Sequence, residues 1–206
     1  MTAQAAERMI LDGRPHALYE QPLYRLLKRH RIEPGHYAKC WSTANYRGYV
    51  ATWDIADSGL RLLHVNVPGY ECEDGPISDE LRTKLLKAGK RRDFPIPARW
   101  FTGRLRIQTG RRLIYSHHGY SHWFERERVI AIKQGRVVRD REVDTKAMLE
   151  WYLKRHPEMI GWLEGEDSSM PRPLVWFDTG DDDDWEDWWP RDFGKAQYEE
   201  MERSSS

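Results

Sequence analysis

A chain of 206 residues, 39% apolar and 32% charged, is long enough for one domain with its own core plus an extension. Its two cysteines, Cys40 and Cys72, have no CxxC spacing and point to neither a disulfide scaffold nor a cysteine zinc site. No stretch approaches the roughly 20 apolar residues of a membrane span. The zero net charge is a cancellation: residues 161–206 hold 14 acidic and 4 basic residues, and residues 1–160 hold 19 acidic and 29 basic, so a body of +10 precedes a tail of −10.

In chain order, Asp12-Gly13 between Arg8–Leu11 and His16–Tyr19 predicts a tight hairpin. Pro22, Leu23, Leu26 and Leu27 predict a helix over 22–30 that stops near Pro34-Gly35. Tyr49, Ala51, Trp53 and Ile55 alternate with Val50, Thr52 and Asp54, and Ala56-Asp57-Ser58-Gly59 turns them into Leu60–Val67, a central hairpin. Residues Pro68–Pro76 read as a loop, and Ser78 caps a helix with Asp79 and Glu80 in its first turn, ended by Gly89. A meander follows: Trp100–Ile107, a turn at Thr109-Gly110, Arg112–His117, Trp123–Lys133, Gln134-Gly135 and Arg136–Glu142. Asp144 or Thr145 then caps a helix running to about residue 164, with Pro157 as a kink.

The sum is an α+β fold, an antiparallel twisted sheet of central hairpin plus meander packed by about three helices. Residues 1–166 form the domain and residues 167–206 the acidic, tryptophan-rich tail, with Leu174–Phe177 as a further strand candidate. The opening MTAQAAERMILDGRP lacks the apolar run of a secretory signal, so a cytoplasmic protein with reduced thiols is expected.

Three features bear on function. The run Ser116–His122 gathers His117, His118 and His122 around Gly119, with Tyr120 between. Imidazole is a general base and a metal ligand near neutral pH. On a strand, however, His117 and His118 point to opposite faces, and the spacing matches no metal motif. His64, Glu125 and Glu127 are the further ligands such a site would draw on; no metal and no cofactor is the expectation. The second feature is Arg47-Gly48-Tyr49, where an arginine beside glycine at a strand entrance suits an anion, making Arg47, Tyr49 and Tyr120 candidate ligand-binding residues. Its plainer reading is a bulged core strand with an internally paired arginine. The third is the tail: Asp182 and Asp183 within Asp181–Asp184, with Trp185, Trp188 and Trp189, combine charge with exposed rings, the pattern of a partner-binding segment.

The motifs Ile10–Gly13, Glu20–Leu23, Arg47–Trp53 (RGYVATW), Trp100–Gly103 and Ser116–Tyr120, in that order across about residues 8–143, resemble a family of bacterial proteins sharing an RGYVATW-type strand and an HxGY-type segment. The resemblance implies a bacterial cytoplasmic setting and a shared fold, and brings no activity or catalytic residue with it. The expected function is a non-catalytic binding or regulatory protein, immunity-like, that works through protein–protein contacts. A second reading is a nucleic-acid-binding protein whose basic residues are masked by the tail. A third is an enzyme using the histidines on a phosphate-containing substrate.

Overall fold

The computed structural model describes residues 4–40, 42–69, 74–114, 123–155 and 157. Strands β1 (Glu7–Leu11) and β2 (Arg14–Leu18) form the first hairpin, with Asp12 and Gly13 both at positive φ as a two-residue turn of this hand requires. Strands β3 (Val50–Ala56) and β4 (Gly59–Pro68) repeat the device with Asp57 and Ser58. Strand β1 lies parallel to β3, and the short β5 (Asp74–Pro76) and β6 (Ile96–Pro97) add to β4. The segment expected to be a loop through Pro76 therefore ends in a strand.

The second half is the meander β7 (Gly103–Ile114), β8 (Trp123–Lys133) and β9 (Arg136–Asp144). The turn expected at Thr109-Gly110 is instead an irregularity within one strand. Gly110 takes φ +77° while β7 stays paired with β8, and the Arg111 N–H donates to the Glu125 carboxylate at 2.9 Å. Glycine signals both turns and bulges, and here the long partner strand keeps the chain going.

The sheet closes on itself in the order β3-β1-β2-β7-β8-β9-β4, with β4 pairing back to β3. The expected α+β fold stands; the closure, the parallel β1–β3 pair and the insertion of the first hairpin between the other two units complete it. Two seams close the circuit, and each is narrow. At the first, β2 meets β7 through a single register pair, Leu18 with Ile107. At the second, β4 meets β9 through Gly59 and Arg136, with Leu60 N–H donating to the Gly135 carbonyl and Val137 N–H to that of Ser58.

Inside lies the core: Met9, Leu18, Trp53, Leu60, Leu62, Leu105, Ile107, Ile130 and Ile132 are all at or below 1% exposure. Helix α1 (Tyr24–His30) buries Leu26 and Leu27 against it and ends at residue 30, as expected. Arg31 turns left-handed and Ile32 N–H reaches back to the Leu27 carbonyl, so this closure, with Ile32 buried, ends the helix before Pro34 does. Helix α2 (Asp79–Ala88) starts where Ser78 Oγ accepts from Leu81 N–H and contributes Leu81 and Leu85. Helix α3 (Thr145–Arg155) begins with Asp144 as its cap, accepting from Ala147 N–H at 2.8 Å. Its Met148, Leu149 and Trp151 are buried without joining the main core, and it contacts β8, so it lies against the outside of the closed sheet. The rest of the expected helix, the Leu174–Phe177 strand candidate and the 166/167 boundary lie outside the described residues.

Gly135 sits where the second seam closes. It holds φ +78°, and a Cβ there would meet the Ala98 carbonyl oxygen at 2.7 Å. Gly135→Ala is expected to destabilise the protein by about 2–4 kcal/mol, combining backbone strain with a clash that only main chain can relieve. A urea midpoint within error of the parent would show that the seam is not held there.

Candidate functional site

Two groups of buried charge and one sheet face hold the unusual chemistry. Glu7 shares the inward face of β1 with Met9 and Leu11 and is 1% exposed. Its Oε2 accepts from Trp53 Nε1–H at 2.5 Å, while Oε1, 4.0 Å from Arg47 Nε, accepts no hydrogen bond among the described residues. Burial pushes the Glu7 carboxyl up to about 7, against the opposing pull of Arg47, of the Trp53 donor and of the nearby Tyr49 side chain; Glu20 adds a smaller upward push. Arg47 donates to the Tyr49 carbonyl at 2.9 Å and the Ala5 carbonyl at 2.6 Å. Gly48 holds φ +71°, with the position of a Cβ only 2.6 Å from Gly35 Cα. The RGYVATW segment is thus a structural unit: glycine admits the neighbouring backbone, arginine ties β3 to the chain before β1, and tryptophan satisfies a carboxyl inside the barrel.

The second group clasps the first seam. Arg106 N–H and Nε–H donate to the two oxygens of Glu20, both at 2.9 Å, so a carboxylate continues the β2–β7 junction where backbone pairing ends. On the other side Arg106 lies 4.0 Å from Glu127, which is 5% exposed. Burial raises the Glu127 pKa, with Arg106 opposing, and Glu20 again adds a smaller upward push. For Arg106, burial acts downward but Glu127 and Glu20 outweigh it, and its pKa is raised.

The third feature is the outward face of the meander. Cross-strand partners share a face, and the registers align Arg104 with Ala131 and Arg139, Arg106 with Val129 and Arg141, and Gln108 with Glu127 and Val143. Four arginines therefore flank Ala131 and Val129, which are themselves buried. The opposite alternation on β9 turns Asp140 and Glu142 to the other face, where Arg128 pairs with Asp140 and Arg126 with Glu142. Period two sorts Arg139-Asp140-Arg141-Glu142 so that the arginines stand on one face and the acids on the other. Sequence reasoning weighed Arg104 and Arg106 among the basic residues of the body but missed Arg139 and Arg141 and the strand face they share; the alternation itself was the available signal.

Of the residues singled out from sequence, the described structure brings together Arg47 and Tyr49, whose contacts given above run within the chain. Glu125 pairs with Arg111 at 3.3 Å, Glu127 belongs to the clasp, and His64 is exposed on β4 opposite Thr52. His117, His118, Tyr120, His122, Asp182, Asp183, Trp185, Trp188 and Trp189 lie outside the described residues. Among the described residues no group of three or more His, Cys, Asp or Glu side chains is arranged to hold a metal ion, and no helix is long and apolar enough to cross a membrane. Cys40 is disulfide-bonded, which corrects the expectation of reduced thiols. Spacing in sequence carries no information on a pair brought together by folding. Comparisons with protein-family models, curated proteins and solved structures give no match.

Because the Glu7 carboxyl titrates near 7 in the folded chain and near 4.5 unfolded, its contribution to stability is fully present below about pH 4.5 and is lost as pH rises toward 7. The span corresponds to about 3 kcal/mol. Glu7→Gln is expected to flatten stability between these values, read from urea denaturation at successive pH; an unchanged slope would assign the dependence elsewhere. Arg106→Ala strands Glu127 and releases Glu20, and is expected to cost about 3–5 kcal/mol. Arg106→Lys should recover only part, since one ammonium does not reproduce the paired donors.

Proposed function

We propose that this is a non-catalytic bacterial binding or regulatory protein, immunity-like in its mode of action, that uses the arginine-bearing face of β7–β8–β9 to hold an acidic segment of a protein partner. The registered placement of Arg104, Arg139 and Arg141 on this face carries this reading. Successive outward residues on a strand are about 7 Å apart, as are alternate side chains of an extended peptide laid along it. An acidic extended segment laid along β9 therefore matches the spacing of Arg139 and Arg141, while Arg106, held by Glu20 and Glu127, stays with the barrel. Against catalysis, the two carboxyls raised by burial, Glu7 and Glu127, are 1% and 5% exposed, so neither reaches a substrate as placed.

The same spacing of positive charge also suits phosphates of a single strand, which is the second reading. Cytoplasmic residence, expected from composition and from the bacterial resemblance, is opposed by the bonded state of Cys40, since cytosolic thiols are kept reduced.

The test is fluorescence anisotropy at low salt with a labelled deca-glutamate peptide and a 20-nucleotide single strand. It uses the full chain and a full chain with Asp181, Asp182, Asp183 and Asp184 each changed to Asn. Peptide binding lost at least tenfold in Arg139→Glu/Arg141→Glu supports the proposal. Preference for the nucleic acid with a steep salt slope replaces it by the second reading, and binding of neither overturns both.

A further inference from the structure

We infer that the margin running from the end of helix α2 to the β8–β9 turn binds the phosphate backbone of duplex nucleic acid without reading its bases. This surface is separate from the arginine face and does not depend on the function proposed for that face. Lys87, Lys90, Arg91, Arg92, Arg99 and Arg136 stand along the margin, and all are exposed. Among the described residues none of these six enters an ion pair or a side-chain hydrogen bond. Arg61 and Arg82 show the contrast, for each is held by a carboxylate, Asp54 and Asp93 respectively. Those two acids are thereby occupied, and exposed Asp57 borders the margin from the β3–β4 turn, where Val137 N–H donates to the Ser58 carbonyl.

The fold makes the margin continuous. Gly89 ends α2 against β6, where a Cβ would meet the Ile96 side chain, and β6 pairs with Arg61 and Leu62 of β4. A few residues on, the Arg99 amide nitrogen stands 3.0 Å from the place of a Cβ on Gly135, the neighbour of Arg136. Basic side chains at a helix end commonly complement its unpaired carbonyls. Here the Leu85, Leu86 and Lys87 carbonyls already accept from the backbone N–H groups of Gly89, Arg91 and Lys90, so the cations around them are not engaged in capping. From Arg92 to Arg99 the chain covers at most about 25 Å. A duplex carries one negative charge per about 1.7 Å of its axis, so that length presents about 15 phosphates, enough on its near side for six contacts. The exposed large apolar side chains among the described residues are Tyr24, Tyr46 and Val138, none of them on this margin. It therefore offers no ring on which a base could stack and no apolar group to enter a bilayer, which leaves the phosphate backbone as its ligand.

Fluorescence anisotropy of the full chain with a labelled 20-base-pair duplex, from about 50 to 200 mM salt, tests the inference. Six phosphate contacts predict a slope of log K against log salt of about −5 and a loss of about a thousandfold in affinity over that range. Lys90→Gln/Arg91→Gln/Arg92→Gln should bring the slope to about −3. Lys90→Arg/Arg91→Lys/Arg92→Lys should keep the parent slope, which separates lost charge from lost folding. Duplexes of different base composition should bind equally. Arg29→Gln/Arg31→Gln on helix α1 and Arg139→Gln/Arg141→Gln on the arginine face should leave the slope unchanged. Absence of binding, a slope that survives the triple neutralisation, or one that falls as far with either control pair overturns the inference, the arginine-face pair by assigning the phosphates to the meander. Binding to vesicles of phosphatidylserine and phosphatidylcholine in place of the duplex overturns it by assigning the margin to an acidic membrane. Displacement of the duplex by deca-glutamate at equal concentration of charge overturns it by assigning the margin to acidic peptide.

Discussion

The circuit of strands depends on two joints that are each little more than one residue pair wide. Sheet hydrogen bonding holds β4-β3-β1-β2 together as one half and β7-β8-β9 as the other. Between them stand Leu18 with Ile107 and Gly59 with Arg136. What closes the barrel is therefore added at the joints: a carboxylate standing in for main chain at Arg106, the Trp100 Nε1–H donating to the Pro22 carbonyl at 2.9 Å, and glycine at 135 allowing the β8–β9 turn to sit on Ala98. Apolar burial drives the halves together without specifying how they meet. The polar clasps set the register.

The same arrangement explains why so much charge is buried in a modest fold. Arg106 serves the joint and must be neutralised; Glu20 does so from the seam and Glu127 from β8. Glu7 fills the corresponding place on the inner side and gains Trp53 as a donor at the expense of an ordinary titration. Removing one member leaves the others desolvated, so these groups behave as a unit rather than as separable bonds. Arg104 shares the face of Arg106 on β7, and Arg139 and Arg141 stand on that face across β8. Binding at the face would act on residues that also hold the barrel shut, because Arg106 belongs to both.

Much of the fold was legible because its signals are local. Asp12-Gly13, Asp57-Ser58 and Gln134-Gly135 each mark a two-residue reversal, and Ser78 and Asp144 cap the helices assigned to them. The α+β class follows from such signals alone. What sequence could not supply was pairing at a distance: the parallel contact of β1 with β3, the closure, the bonding of Cys40, and Gly110 as a bulge rather than a turn. Each depends on a partner many residues away, and glycine at 110 carries the same local preference in either role. The candidate site shows the same division. Arg47 was legible as unusual, but its partners Ala5 and Glu7 lie about 40 residues back; the arginine face was spelled out by alternation, yet becomes a surface only when three strands align.

The late closure also shapes how the chain is made. The half-sheet built from residues 7–68 is complete in sequence well before β7, β8 and β9 have left the ribosome, and at about 5–20 residues per second the interval to Asp144 is roughly 4–15 s. During that time β2 is a free edge of the kind that recruits foreign strands. Its sequence, Arg14-Pro15-His16-Ala17-Leu18, places a charge and a residue with no amide hydrogen on that margin. A strand that reads as a weak sheet former in the finished barrel is, for the unfinished chain, a guarded border.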